Sequence, residues 1–416
     1  MDDAALSLLG YVLQVIQWTC LGTVLYFYII GFVGLCKPKS VSRATPTTRF
    51  AILIPAHNEE KVLPLLLESL KGQRYPKQLI RVYVVADNCT DGTAMVARAL
   101  GAKVLERSSP LRGKGYALKF GLDHVLRTGC DAICIFDADN LVDPGFLQVM
   151  NDHLARGAQV IQGRVETKNP FDSWVSASYA ISFWVSNRIW QLARARIGLS
   201  SILCGTGMCF KKDLLRFTGW PAMSLTEDLE YSMILISKGL NVVWAHDAVV
   251  YDEKPATFWM SWRQRLRWLR GKWQVLFSMG PGLFVDALIE RNWKKMDGVL
   301  VLLQPALLLL APLSGLLGLV SSANLKVSPD IVRYLKWENM ILGVLPYVLP
   351  AIVMYLERVP TRAYIYLPMY TLFCVTWVPI AVVGLVLHRQ RDWYRTPHKR
   401  AITLEQCSRL YYLHDG

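Results

Sequence analysis

Residues 50–60 read FAILIPAHNEE and residues 131–140 read DAICIFDADN. Each is a short, unbroken apolar run that stops at a cluster of polar, turn-forming residues. Unbroken rather than alternating hydrophobicity predicts a strand buried on both faces. Working outward, IRVYVVAD at 80–87 is a third run of this kind, and Lys103–Glu106 is a weaker one. The segments between them have helical spacing. Residues 59–71 place Val62, Leu65, Leu66 and Leu70 on one face, 91–100 is opened by Thr90 and Asp91, and 114–127 comes next. At 144–155, Asp143 serves as cap and Pro144 as first helical residue. Strands alternating with helices predict an α/β domain with a doubly wound, mostly parallel sheet. Ligands of such sheets bind beyond the carboxyl ends of the strands, where His57, Asn58, Asp87, Asn88, Asp137 and Asp139 fall.

The flanks have a different composition. Leu8 to Cys36 holds no charged residue, enough to span a hydrocarbon core of about 30 Å. Asp2 and Asp3 precede it, and Lys37, Lys39, Arg43 and Arg49 come after it. The positive-inside rule then puts the N-terminus outside and the chain beyond Cys36 in the cytoplasm. A signal peptide would have a basic start and a cleavage site instead. Further apolar runs lie at about 299–322, 339–356 and 364–387, and the last is succeeded by Arg389, Arg391, Arg395, Lys399 and Arg400. Three crossings would leave this basic tail outside. One run is therefore expected to be re-entrant or interfacial, and 339–356, the shortest and carrying Pro346 and Pro350, is the candidate.

The whole chain of 416 residues is 53% hydrophobic and 19% charged, with a mean hydropathy of +0.26, too apolar for an ordinary soluble protein. A net charge of +14 excludes an acidic disordered chain and favours anionic partners: a membrane surface, nucleic acid or phosphorylated substrates. The nine cysteines form no CxxC pair, which reads as free thiols in a reducing compartment rather than a disulfide scaffold or zinc site. No GxxxxGK[ST], HExxH or GxSxG occurs, and GKGYAL at 113–118 fails GxGxxG at its last position. P-loop, zincin and serine-hydrolase chemistry are thereby removed.

The remaining chemistry lies in carboxylates and in one basic, aromatic helix. Asp137 and Asp139 are expected to share one side of a strand end, because residues i and i+2 of a strand face the same way. Two hard oxygen donors beside a ligand crevice suit Mg²⁺ or Mn²⁺ held jointly with substrate phosphates; a surface turn is the alternative. Asp87 reads either as a turn residue or as an acceptor for a nucleobase N–H or a ribose hydroxyl. In Thr226-Glu227-Asp228, Ser224 and Glu227 fit a capping box, and a catalytic base is the other reading. Gln264, Arg267 and Trp268 share a helical face within FWMSWRQRLRWLRGKW. That stretch predicts an amphipathic interfacial helix, with Arg263, Arg265, Arg267, Arg270 and Lys272 toward anionic headgroups. Nucleic-acid binding finds no other support and no nucleic-acid partner is expected.

In order along the chain, PAHNEE (55–60), ADNCTDGT (86–93), RGKGYAL (112–118), DADN (137–140), CGTG (204–207), TED (226–228) and QRLRW (264–268) resemble the motifs of the membrane-embedded family 2 glycosyltransferases. The likeness is to the processive branch of cellulose, hyaluronan, chitin and poly-N-acetylglucosamine synthases, and it covers roughly residues 50–275. It implies a GT-A fold, a UDP-sugar donor, a Mg²⁺ or Mn²⁺ ion and inversion at the anomeric carbon. Carried over by position, Asp87 contacts the uracil, Asp137 the diphosphate and, with Asp139, the metal. Asp228 is the general base. Lys114, Gln264 and Arg267 lie on the donor side, and Cys204, Gly205, Glu227 and Trp268 on the acceptor side. The gating motif of the branch has only a loose counterpart in WYRTPHKR at 393–400.

The resulting division is a transmembrane helix (1–36), a cytoplasmic GT-A domain (37–255), interfacial helices (256–297), C-terminal transmembrane helices (298–388) and a basic cytoplasmic tail (389–416). The protein is then a multi-pass protein of the cell membrane. The leading functional expectation is an inverting transferase extending, and possibly exporting, a β-linked polysaccharide. The alternative is single-sugar transfer to a lipid such as a ceramide or diacylglycerol. A non-catalytic transporter or scaffold that kept the fold is disfavoured, because every acidic motif position is intact.

Overall fold

The computed structural model describes residues 3–310, 312, 347–390 and 400–412. Its centre is an eight-stranded sheet of order β3-β2-β1-β4-β7-β6-β8-β5. The strands are β1 (Phe50–Ala56), β2 (Ile80–Asp87), β3 (Lys103–Arg107), β4 (Ala132–Ile135), β5 (Leu141–Val142), β6 (Val160–Thr167), β7 (Met208–Lys211) and β8 (Val242–Asp252). β1 to β4 are mutually parallel where they pair, and β6 is parallel to β8. β7 pairs antiparallel with both β4 and β6, and β5 antiparallel with β8. The sheet is thus mixed. The expectation of a mostly parallel sheet holds for its first half and is corrected in the second, whose strands are either very short or interrupted by polar residues.

The helices are α1 (Asp3–Val33), α2 (Leu63–Lys71), α3 (Thr93–Ala99), α4 (Lys114–Val125), α5 (Phe146–Ala155), α6 (Trp174–Val185), α7 (Ala193–Arg196), α8 (Lys212–Thr218), α9 (Glu227–Ser237), α10 (Phe258–Ile289) and α11 (Trp293–Leu302). β1 shows why an unbroken apolar run becomes a central strand. Phe50, Ile52 and Ile54 join Leu63, Leu66 and Leu67 of α2 and Met150 of α5 in one core. Ala51 and Leu53 join Leu118 and Leu122 of α4 and Tyr231 and Leu235 of α9 in the other. Each such side chain fully buried contributes about 1.5–3 kcal/mol. Pro55 is tolerated because pairing with β4 stops at Leu53↔Ile135, leaving β2 as its ladder neighbour.

Two helix starts differ from expectation. α5 begins at Phe146, because the Asp143 carboxylate accepts from the Gly145 N–H (2.8 Å) and closes a turn instead of capping at Pro144. The capping box of Ser224 and Glu227 does not form. Thr226 is the N-cap of α9 without a side-chain cap, and the Ser224 N–H donates to Glu230.

Among the described residues one helical stretch, Thr361–Val386, is long and apolar enough to cross a membrane, with a turn at Thr376. The run at 299–322 is described only to 310 and at 312, and that at 339–356 only from 347, as the helix Tyr347–Leu356. The WYRTPHKR segment, except Arg400, lies outside the described residues. Beyond it, the helix Leu404–Tyr412 docks on the central sheet: Cys407 is fully buried with Leu141 and Tyr251, and Tyr411 Oη donates to the Thr167 carbonyl (2.5 Å).

Candidate active site

The chain winds outward from β1 through β2 to β3, then returns to place β4 on the other side of β1. The crevice at this reversal, beyond the carboxyl ends, is where a doubly wound sheet binds its ligand. Asp87 closes β2, buried, with Oδ1 accepting from Arg107 Nη1 (2.5 Å) and Asn88 Nδ2 (3.0 Å). β4 ends at Ile135, so Asp137 and Asp139 stand on a turn and not on the strand end. Both line the same cavity, and the turn that carries them is braced by side chains rather than by strand pairing. The Asp137 N–H donates to Asn140 Oδ1 (3.1 Å) and Thr206 Oγ1 (3.2 Å), and Asn140 Nδ2 donates to Asp252 Oδ1 (2.9 Å).

Lys114, first residue of α4, ties the motifs together. Its Nζ lies 2.5 Å from Asp137 Oδ1 and 3.6 Å from Glu227 Oε1, and donates to the Gly205 carbonyl (2.8 Å). Burial alone would depress this ammonium, but the carboxylates of Asp137, Glu227 and Asp228 outweigh it and raise its pKa. Burial raises the Asp228 carboxyl and pushes Glu227 up to about 7, both against the pull of Lys114. Gly205 makes the close approach possible. At φ +81° it accepts a conformation that L side chains rarely adopt, and a Cβ there would sit 3.3 Å from both Asp228 Oδ2 and Lys114 Nζ. Cys204 is braced, not reactive: its N–H donates to Gln162 Oε1 (2.8 Å), Gln191 Nε2 donates to its Sγ (3.2 Å), and burial pushes the thiol up to about 12.

α10 closes the other side. Gly271 lets it pack against Thr226, where a Cβ would meet the threonine side chain at 2.6 Å. Arg267 Nη1 donates to the Leu225 carbonyl (3.3 Å), and its Nε is buried with no partner. Gln264 Oε1 is likewise buried without a partner. Trp268 stacks on Trp377 (6.4 Å, 19°) and meets Tyr179 edge-on. The basic residues of this helix do not form a common solvent face as expected. Arg265 is fully buried, donating to Thr376 Oγ1 (2.7 Å), and Arg270 donates to the Leu387 carbonyl (3.2 Å). Each satisfies a backbone or hydroxyl group where the C-terminal apolar stretch turns or ends.

All the expected site residues line one cavity of about 1070 Å³. It begins at Asp87, Asp137 and Asp139, passes Asp228 and Trp268, and continues between Phe27 of α1, Leu308, Pro350 and Trp377. Among the described residues no three His, Cys, Asp or Glu side chains converge as a metal cage. Asp137 and Asp139 are two hard donors beside a cavity. That set fits Mg²⁺ or Mn²⁺, which take few protein ligands and complete their shell with phosphate oxygens and water.

The sequence model of the family described as "Glycosyltransferase like family 2" matches residues 46–271. The chain is a family 2 glycosyltransferase. Its curated relatives include the "Probable glycosyltransferase YdaM" of Bacillus subtilis, 27% identical over 58% of this chain and 59% of that protein. They also include the "Beta-monoglucosyldiacylglycerol synthase" of Nostoc sp., 28% identical over 61% of this chain and 55% of that one. The glycosyltransferase thus spans somewhat more than half the length of the curated relatives it matches. Among solved structures, the mannosyltransferase PcManGT from Pyrobaculum calidifontis, in complex with GDP-Man and Mn²⁺, superposes with a TM-score of 0.56 at 18% identity. That match covers 91% of this chain and 99% of the other; it bears on the fold, a GT-A-like mixed α/β sheet.

Several residues that shape the glycosyltransferase site carry no motif signal of their own. Arg107 pairs with Asp87 from the end of the weakest strand. Gln162, inside β6, reaches both Cys204 and the Thr206 carbonyl. Asn140 and Thr206 are visible as motif letters, but their bracing function depends on a contact across 66 residues.

Proposed function

We propose that this glycosyltransferase moves one sugar from a UDP-sugar to a hydroxyl of a membrane lipid, with inversion. The observation that carries the reading is the course of the cavity, which leaves the carboxylates and runs between apolar helices lined by Val24, Phe27, Leu308, Pro350 and Trp377. An acyl chain loses water there at about 0.8 kcal/mol per CH₂, whereas a polysaccharide would leave its hydroxyls unpaired. Lipid-directed enzymes among the relatives, such as that of Nostoc sp., agree with it.

In this reading Asp87 receives the uracil, and Lys114 and Arg267 neutralise the diphosphate. Asp137 and Asp139 would hold a Mg²⁺ or Mn²⁺ ion, which when bound supplies further positive charge against the leaving group. Asp228, raised above an ordinary carboxylate, takes the proton of the acceptor hydroxyl as its oxygen attacks the anomeric carbon. The bond to UDP breaks as the new glycosidic bond forms, and an α-linked donor gives a β-linked product. Glu227 sits beside the base, Gln264 joins Lys114 and Arg267 on the donor side, and Cys204 and Gly205 frame the reacting end of the acceptor. The helix Leu404–Tyr412 rests on the same sheet, so the tail and the catalytic domain share one side of the membrane. The tail is cytoplasmic if that domain is.

A polysaccharide acceptor is the second reading. It is favoured by Trp268, whose ring lines the cavity as a platform for a sugar, and by relatives such as the N-acetylglucosaminyltransferase of Rhizobium leguminosarum. A panel of labelled UDP-sugars with purified protein in lipid vesicles, with sizing of the product, separates them. A single-sugar lipid supports the proposal, and a long polymer overturns it.

A further inference from the structure

The cations lining the cavity are not alike. Lys114, Arg194 and Lys254 each have a carboxylate close by, at 2.5 Å for Asp137 and 3.2 Å for Asp297, with Asp252 beside Lys254. Arg112 is exposed at the mouth. Among the described residues Arg267 and Lys272 have no carboxylate within ion-pair distance, and Arg267 is taken by the donor diphosphate in the proposed mechanism. Lys272 remains. It stands at i+8 from Gln264 and i+4 from Trp268 on α10, so the helix presents the three in succession to the cavity. Its Nζ donates to one neutral group, Gln304 Oε1 (3.3 Å), at the break after α11. Burial depresses this ammonium, and the acidic groups acting back on it are Asp228 and the Cys204 thiol. The charge therefore sits within electrostatic reach of the base, on the acceptor side, next to Val301, Pro305 and Leu308 where the apolar arm begins. A half-buried cation held by one amide oxygen is poorly compensated unless an anion completes it.

We propose that Lys272 and Gln304 form a subsite for the phosphodiester of an anionic lipid acceptor, whose hydroxyl is presented to Asp228 and whose chains lie in the apolar arm. The inference rests on the lipid-acceptor reading and adds the charge of the headgroup. Lys272 supplies a charge-assisted hydrogen bond, and the Gln304 amide N–H₂ is a second donor to the same group. A neutral diacylglycerol offers this pair only ester and hydroxyl oxygens and no charge, so the subsite selects between hydroxyl-bearing lipids by charge.

The test uses the full chain in vesicles of phosphatidylcholine doped with phosphatidylglycerol or with diacylglycerol, and the UDP-sugar the wild type turns over best. The expected result is a KM for phosphatidylglycerol lower than that for diacylglycerol. Lys272→Met should raise the phosphatidylglycerol KM roughly 10–100-fold more than the diacylglycerol KM, and Lys272→Arg should recover most of the difference. Lys272→Gln is the second variant, and UDP-dependent thermal stabilisation checks that each is folded. An equal KM rise on both lipids would mean that Lys272 only tunes Asp228, and overturns the subsite. So does a wild type that prefers diacylglycerol, although the lipid-acceptor reading then stands. Soluble glycerophosphoglycerol used as well as the lipid overturns the lipid-borne source of the phosphodiester. Polymer without any glycolipid sinks the lipid-acceptor reading itself, and this inference with it.

Discussion

Replacing Gly205 with alanine measures how closely the base is held. The substitution carries two separable effects. A φ of +81° disfavours any L side chain by about 1–2 kcal/mol. Gly239, at φ +72° beyond the other end of α9, has nothing within 4 Å of a Cβ and incurs the same backbone cost without a new contact. At Gly205 the added Cβ sits 3.3 Å from Asp228 Oδ2 and from Lys114 Nζ, tighter than usual by a few tenths of an ångström, so both side chains must give way. A full 1 Å misplacement of reacting groups loses about 10²-fold, which scales to roughly 3–6-fold for a shift of this size. Both variants should therefore lose thermal stability, by about 2–4 °C per kcal/mol, while only Gly205→Ala loses roughly 3–6-fold in turnover beyond that. Nucleotide release at saturating donor and acceptor, beside thermal denaturation of the same samples, gives both quantities. Equal turnover in the two alanine variants would refute the placement of Asp228 against Gly205.

Asp228→Asn should lower turnover by roughly 10²–10⁴ while titration calorimetry still detects UDP binding; wild-type turnover would leave Asp228 as a helix-terminal residue only. A base whose pKa is raised keeps its proton to higher pH. The acid limb of kcat/KM should therefore lie higher than an unperturbed aspartate would give and be missing in Asp228→Asn, and a limb at or below the unperturbed aspartate value refutes the raised base. Chelation with EDTA should abolish transfer, with Mn²⁺ or Mg²⁺ restoring it, because Asp137 and Asp139 are themselves anions and repel a bare diphosphate; full turnover after exhaustive dialysis against EDTA rejects the metal. Arg267→Ala should weaken UDP binding without acceptor present, whereas Trp268→Ala should spare it and raise the acceptor KM. Equal loss of UDP binding in two folded variants removes that division.

What could be read from the chain was what local chemistry forces. β1 begins and ends where its apolar run does, at Phe50–Ala56, because a strand buried on both faces has no polar position to blur its limits, and β2 keeps the limits Ile80–Asp87 of its run although Arg81 near its start is exposed. The position of the acidic motifs after strands came from the same runs. β7, by contrast, is only Met208–Lys211, too short to stand out, and its antiparallel direction is set by pairing between β4 and β6. The capping box at Ser224 failed because Glu230, one turn further on, captures that N–H, a choice between two acids that spacing alone cannot make.

The sequence by itself determined the α/β alternation, the family motifs and their order, and the apolar flanks, since each depends on residues near one another along the chain. Only the tertiary structure decided which of those residues meet. It brings Lys114 to Asp137, Glu227 and Gly205, buries Arg265 and Arg270 against the C-terminal helices, and leaves Lys272 with a single amide oxygen at the head of an apolar arm. The physical reason is that desolvation and charge pairing act through space at a few ångströms, and these partners are up to 117 residues apart in the chain.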